Sequence, residues 1–223
     1  MPQIRCLTYN IRLALEEGFD SVLQTILAIK ADIVALQEVG DCWPHGPQIN
    51  LTKELALAAN YPGWFFAGAL FQNGGSYGIG LLSRWPLTAI QTRKMPQISD
   101  EQRVLLSARI PKIETRVWTT HVSVLREDRN IQLPWLTQKV SAEKPDILLG
   151  DMNTHPGDPL LAAIDMRNTF EDSPPLTYPS DQLQTTIDHI FHGPRYSVSS
   201  PGQVMPSSAS DHLPVFSDLA YTS

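Results

Sequence analysis

The chain is poor in cysteine, in positive charge and in long apolar runs, and each shortage excludes something. Only Cys6 and Cys42 occur in 223 residues, too few for a disulfide framework, so the fold must rest on a buried core. No window approaches the run of about 18 apolar residues that a membrane-spanning helix needs. Lys and Arg number 17 against 23 Asp and Glu, a formal charge of −6. That balance argues against the broad basic face that coats DNA regardless of sequence, while leaving room for a local basic rim around one pocket. Met1-Pro2-Gln3-Ile4-Arg5 enters an apolar run at once, without the apolar stretch and small-residue cleavage site of a signal peptide. Together with the scarce cysteines, this predicts reduced thiols and a cytoplasmic location. Internal repeats, low-complexity tracts and Gly/Ser linkers are also lacking, so residues 1–223 are read as one domain, without a membrane span and monomeric.

What is there is globular: 42% hydrophobic and 18% charged residues, on a chain long enough to bury a sizeable core. Short apolar runs alternate with amphipathic stretches. Ile4 to Tyr9, Ile33 to Gln37 and Asp146 to Gly150 read as buried strands. A β-rich middle offers Trp64 to Leu70, Tyr77 to Ser83, Leu87 to Lys94, Val104 to Ile110 and Arg116 to His121. Ile187 to Phe191, Tyr196 to Ser199 and Val215 to Ala220 close the set. Helical spacing appears over Asp20 to Ile29, with Asp20 or Ser21 as cap, and over Leu51 to Ala59 after Asn50. Glu127 to Val140 reads as a helix that Pro134 kinks or restarts. Leu160 to Met166 follows an Asp158-Pro159 start signal. About ten strands with a few helices predict two packed sheets flanked by helices.

The polar residues fall where these runs stop. Asn10, Glu38, His121, Asp151 with Asn153, Asp188, and Asp211 with His212 all lie at or near the end of an apolar stretch. A sheet brings its strand ends together, so residues remote in sequence can line one pocket mouth. Four carboxylates gathered there (Glu38, Asp151, Asp188 and Asp211) would repel each other unless something neutralised them. Oxygen ligands without cysteine suit Mg²⁺ or Mn²⁺ better than Zn²⁺. Taken singly, each has an ordinary reading: a solvated acid at a strand end, a turn-forming Asn or Asp, a hydrogen-bonded histidine. Their joint occurrence is the signal.

The pieces that carry these residues are LTYNI at Leu7 to Ile11, ALQEV at Ala35 to Val39, YGIGLLSRWPL at Tyr77 to Leu87 and TTHV at Thr119 to Val122. GDMN at Gly150 to Asn153, TIDHIF at Thr186 to Phe191 and SDHLPV at Ser210 to Val215 complete them. In that order the chain resembles the endonuclease/exonuclease/phosphatase superfamily, the group of deoxyribonuclease I, exonuclease III, inositol polyphosphate 5-phosphatases and bacterial sphingomyelinases. The resemblance implies a four-layered α/β/β/α sandwich, two mixed sheets face to face with helices outside. It also implies Mg²⁺-dependent hydrolysis of a phosphate ester by water, without a covalent intermediate. Carried over residue by residue, it makes Glu38 the principal metal ligand, with Asn10 and Asp211 at or near the metal. Asp151 would orient or deprotonate the water, and Asn153 would donate to the phosphoryl oxygens. His212, paired with Asp188, would be a second phosphate contact, with His121 facing it across the scissile phosphate. Such a cation and such donors offset the repulsion between hydroxide and a charged phosphodiester.

The match has departures. Exonuclease III-like enzymes tend to carry Tyr where this chain has His121, and Asn where it has Val124, which moves the reading toward the deoxyribonuclease I, lipid-phosphodiesterase and phosphatase side. Trp43 and Trp135 are read as packing residues. Arg12, Arg103, Arg126 and Arg129 are the cations available to meet substrate. So few of them favour a compact phosphodiester over a long nucleic-acid track, although a local patch suffices for nicking. Two other readings stay open: a non-catalytic binding module on the same fold, which a gap in the polar set would favour, and a His/Asp zinc hydrolase, for which no paired-His motif is present.

Overall fold

The structure, a computed structural model, describes residues 3–170 and 173–222. Strand β1 (Gln3–Asn10) runs parallel to β2 (Ile33–Asp41), and β3 (Gly63–Gln72) and β4 (Gly75–Ser83) form a hairpin beside it. With β11 (Tyr196–Val204) and β12 (Val215–Tyr221) they make a six-stranded sheet in the order β11-β12-β1-β2-β4-β3. The second sheet has the order β5-β6-β7-β8-β10-β9, from β5 (Thr88–Lys94), β6 (Val104–Ile110), β7 (Thr115–His121), β8 (Ile147–Asp151), β9 (Arg167–Asn168) and β10 (Asp188–His192). Each sheet is antiparallel except for one pair, β1 with β2 and β7 with β8. A parallel pair needs a crossover, and α1 (Gly18–Ile29) and α3 (Arg126–Glu143) provide the two.

Alternation along the strands sorts the core into layers. Cys6, Ile33, Ala35 and Leu81 of one sheet meet Leu106, Val117, Leu149 and Ile190 of the other between the sheets. Their neighbours Leu7, Val34, Leu36 and Leu82 face outward onto Val22 and Ile26 of α1 and Leu51 and Leu55 of α2 (Leu51–Ala58). On the far side Leu105, Trp118, Leu148 and Phe191 face Leu133, Leu136 and Val140 of α3 and Leu161 of α4 (Pro159–Ala162). Strands buried on both faces read as continuous apolar runs, which is why these segments carry little alternation in sequence. The result is the expected four-layered α/β/β/α sandwich. Trp43 and Trp135 pack against its outer layers.

Several local expectations shift. Neither Asp20 nor Ser21 caps α1, which starts at Gly18 after Glu17 with no side-chain cap. Asn50 does cap α2, accepting from the Lys53 amide at 2.9 Å. Helix α3 runs through Pro134 without a restart, and its buried face keeps Leu133 and Leu136 in register. The segment after Pro159 forms one turn only, Pro159–Ala162, with Leu161 and Ile164 both buried against the outer layer. The last stretch of β11 carries Pro201 and two register shifts, tolerated because β11 is an edge strand. Two-residue β9 is too short for any pattern to announce. Both thiols are unpaired, Cys6 in the inter-sheet core and Cys42 exposed. No helix among the described residues is long and apolar enough to cross a membrane.

Gly150 holds φ +154°, and a Cβ there would stand 2.0 Å from the Thr120 carbonyl oxygen on the adjacent strand. Gly150→Ala is therefore expected to destabilise the protein by about 3 kcal/mol or more, read as a lowered urea midpoint. His189 is fully buried on β10, its Nε2 on the Thr154 carbonyl at 2.9 Å and its Nδ1 on the Asn168 amide at 2.9 Å. Burial holds this imidazole neutral down to about pH 4, whereas in the unfolded chain it protonates near about 6.5. Between those values the unfolded chain binds the extra proton, so stability falls as pH falls, by about 3 kcal/mol across the window. Chemical denaturation at stepped pH checks this, and His189→Gln removes that part of the slope.

Candidate active site

The mouth of the inter-sheet layer is polar because the inward stripes end in polar residues. Thr8 and Asn10 continue the stripe of Ile4 and Cys6, Asp151 that of Ile147 and Leu149, His121 that of Val117, and Asp188 that of Ile190. Register sets them side by side: His121 lies opposite Asp151 across β7–β8, and Asp188 opposite Asp151 across β8–β10. Glu38 breaks the alternation, since Val34 and Leu36 of the same parity face outward. Here β2 bulges between Leu36 and Val39 against β4, with Glu38 at φ +53°. The bulge turns the carboxylate back to the mouth, where the Asn10 side-chain amide donates to Glu38 Oε1 at 2.9 Å.

Asn10 also joins the two sheets, donating from Nδ2 to Asp151 Oδ2 at 3.1 Å. Its Oδ1 accepts from the Arg12 amide at 3.1 Å and shapes the turn after β1, where Arg12, Leu13 and Ala14 all have positive φ. Asn153, at φ +46°, has its amide on Asp151 Oδ1 at 2.8 Å, and its Nδ2 donates to the Val122 carbonyl at 2.9 Å. Left-handed backbone costs a non-glycine residue about 1–2 kcal/mol. Its presence at Arg12, Glu38 and Asn153 gathers strain at this mouth.

Asp151 is buried between two imidazoles, His121 Nε2 at 3.4 Å and His212 Nε2 at 3.8 Å from Oδ2. Burial, reinforced by the Asp188 charge, pushes its carboxyl up to about 7 despite His212 and the Asn153 and Asn10 donors. The two histidines differ in partner. His212 Nδ1 lies 2.9 Å from Asp188 Oδ2, which also accepts from Thr177 Oγ1 at 2.7 Å. Burial pushes His212 down, but Asp188, Asp151 and Asp211 outweigh it and raise the imidazole to about 10. His121 Nδ1 lies instead 3.0 Å from Arg103 Nη1. Burial, then the Arg103 and His212 charges, hold His121 well below the usual histidine range. His212 is thus imidazolium at neutral pH and His121 neutral.

The remaining residues divide. Asp211 sits on the rim, half-buried, 3.5 Å from Arg12 Nη1, and Ser210 Oγ anchors its loop on the Asn10 carbonyl at 2.7 Å. Arg12 pairs with both Glu16 and Asp211. Arg103 is buried against His121. Arg129 donates to the Val124 carbonyl, and Arg126 is exposed at the start of α3, with no hydrogen bond or ion pair among the described residues. No sequence pattern marks Thr177, or Tyr178, whose ring lies 4.6 Å from that of His212. Both are in an irregular segment without a pattern. Tyr77 was visible only as an apolar strand residue; burial and the Glu38 charge push its hydroxyl above the usual tyrosine range.

Ligand atoms of Asp151, Asp188 and His212 lie within 4.8 Å of one another, a spacing that a metal ion can bridge. The model of the endonuclease/exonuclease/phosphatase family matches residues 7–212, and the chain belongs to that family, whose members are phosphoesterases and nucleases using divalent metal ions. Among solved structures, a family protein from Beutenbergia cavernae is similar at 25% identity over 99% of this chain and 72% of its own, with a TM-score of 0.77. The catalytic domain of human Nocturnin, with bound sulfate, gives 20% identity, 99% and 95% coverage and a TM-score of 0.72. A mannosyl-6-phosphatase from Bacteroides thetaiotaomicron gives 17%, 98% and 100%, and 0.74. No curated protein sequence matches the chain.

One prediction tests the charge assignment. Asp188→Asn removes the carboxylate that contributes most to holding His212 charged, so the His212 pKa is expected to fall from about 10 toward the ordinary histidine range. An NMR titration of the histidine Cε1 protons reads the change.

Proposed function

We propose that the protein is a Mg²⁺- or Mn²⁺-dependent phosphodiesterase that directs water onto phosphorus. The observation that carries this reading is the cross-sheet network in which Asn10 joins Glu38 to Asp151, with Asp151 flanked by one charged and one neutral imidazole.

The donor set fits a hard cation. Glu38 and Asp211 offer carboxylate oxygen, and Asn10 orients Glu38 through its Nδ2, while Cys6 is in the core and Cys42 lies in a loop outside the network. Both histidines are committed elsewhere: His212 carries its proton on Asp188, and His121 Nδ1 accepts from Arg103. For that reason Glu38 and Asp211 are assigned to the metal, with Asn10 beside it holding Glu38, ahead of the Asp151, Asp188 and His212 cluster. Zinc chemistry, which favours imidazole and thiolate, finds little here. When bound, the cation would neutralise phosphoryl charge and lower the pKa of water.

The chain's own groups do the rest. Asp151, with its carboxyl near 7, takes up a proton in the range where a general base works best. It therefore orients the water and receives its proton. His212, protonated and fixed by Asp188, donates from Nε2 to a phosphoryl oxygen. Asn153 and the Nε2–H of His121 are further donors, each worth about 10²-fold or more in rate. Of the four arginines the sequence offers for substrate, Arg12, Arg103 and Arg129 are engaged within the protein. This favours a compact phosphodiester over a nucleic-acid track, which needs free cations along the backbone. A phosphomonoester is the alternative substrate.

Bis(p-nitrophenyl) phosphate should be hydrolysed with Mg²⁺ or Mn²⁺ and not in EDTA. Glu38→Ala should lose about 10³-fold or more. Turnover that survives both EDTA and Glu38→Ala overturns the proposal.

A further inference from the structure

Arg103 is a cation where a phosphoesterase would use one on its substrate, yet it is committed elsewhere. It is 7% exposed. Nη1 lies 3.0 Å from His121 Nδ1, and Nη2 lies 3.7 Å from both Asp100 Oδ2 and Glu101 Oε2. A guanidinium has only donors and does not deprotonate in proteins. The ring nitrogen facing it must therefore be an acceptor, which leaves the proton of a neutral imidazole on Nε2. That nitrogen faces the catalytic side, 3.4 Å from Asp151 Oδ2. Asn153 Nδ2 also lies 3.2 Å from His121 Nε2, but it donates to the Val122 carbonyl at 2.9 Å, so the Nε2–H is directed to the Asp151 carboxylate, with His212 beyond it on the same oxygen.

The segment leading to Arg103 is held as a rigid bracket. The Met95 amide donates to the Arg103 carbonyl at 2.9 Å, and Gln102 Nε2 donates to the Met95 and Arg103 carbonyls at 2.9 and 2.8 Å. From α3, Asp128 accepts the amides of Ile98, Ser99 and Asp100 at 2.6, 3.2 and 3.1 Å. Ser123, two residues beyond His121, donates to Asp100. Asp100 thereby faces both Arg103 and the strand that carries His121.

We propose that Arg103 is a positioning residue that fixes His121 as the Nε2–H tautomer, so that His121 serves as a neutral donor beside Asp151. This rests on the phosphoesterase reading for its catalytic consequence, but the tautomer itself does not. Arg103 plays the converse of the part Asp188 plays for His212: one histidine is held neutral by a cation, the other charged by an anion. A second cationic imidazole would hold Asp151 as a tight ion pair and weaken it as a base. With Arg103 on Nδ1, the two histidines donate to the same space without both being charged.

The test compares Arg103→Met and Arg103→Lys with the natural protein. Side-chain ¹⁵N NMR of His121 should show an unprotonated Nδ1 in the natural protein. It should show tautomer exchange or ring protonation near neutral pH in Arg103→Met, with recovery in Arg103→Lys. On bis(p-nitrophenyl) phosphate, Arg103→Met should lower kcat about 10²-fold with KM within about threefold. In a His121→Asn background it should add almost nothing, the non-additivity expected of two residues acting as one unit. An unchanged His121 tautomer in Arg103→Met overturns the proposal. So does a raised KM at constant kcat, which would make Arg103 a substrate contact, or full additivity with His121→Asn. If the natural protein hydrolyses no phosphoester, the functional reading fails while the NMR arm still decides the tautomer.

Discussion

The buried carboxylate of Asp151 is the constraint around which the site is arranged. An ionised group taken out of water must be neutralised or satisfied by donors. Here it faces His212, which Asp188 keeps charged, along with the Asn10 side chain and the Asn153 amide. Asp188 has one oxygen saturated by His212 and Thr177, and its Oδ1 has no donor among the described residues. A proton shared through such a chain sits where small changes in local charge move it. Neighbouring titratable groups driven apart in pKa are the arrangement from which acid and base roles arise. Asp151 and His212 satisfy that description within one hydrogen-bonded cluster.

Much of this arrangement is legible in the sequence. Strands buried on both faces leave apolar runs, and a polar residue ending such a run lies at a sheet edge, so Asn10, His121, Asp151 and Asp188 could be picked from sequence. The layered fold followed from the same runs and from the two long helices. Glu38 was picked for its position after a strand, but the reason it reaches the mouth was hidden. Strict alternation aims it outward, and only the bulge at φ +53° corrects the direction. Arg103 was read as a cation facing substrate because its proximity to His121 depends on how β6 and β7 pair. The α1 cap and the one-turn α4 differ from expectation because both readings rested on weak local signals. Thr177 and Tyr178 lie in irregular chain, where no periodicity exists to read.

Strain and close packing sit together at this end of the molecule. Gly150, pressed against the Thr120 carbonyl, immediately precedes Asp151, and Asn153 two residues later is left-handed. The β7–β8 pairing thus fixes where Asp151 emerges, and the turn after it fixes where Asn153 points. A site on strand ends is held more firmly than one on free loops, since moving it requires displacing a sheet.

The order of strands also bears on how the molecule is assembled. Everything in the second sheet lies between residues 88 and 192, a contiguous stretch, whereas β1 has β12 as one of its two neighbours, from the other end of the described chain. A nascent polypeptide can thus complete one sheet while β1 still presents an open edge, exposed to wrong pairing. Asn10 closes β1 and His212 lies just upstream of β12, separated from it by Leu213 and Pro214, so the cleft is whole only after that late strand docks. The polar cleft is thus completed by the same event that covers the open edge of β1.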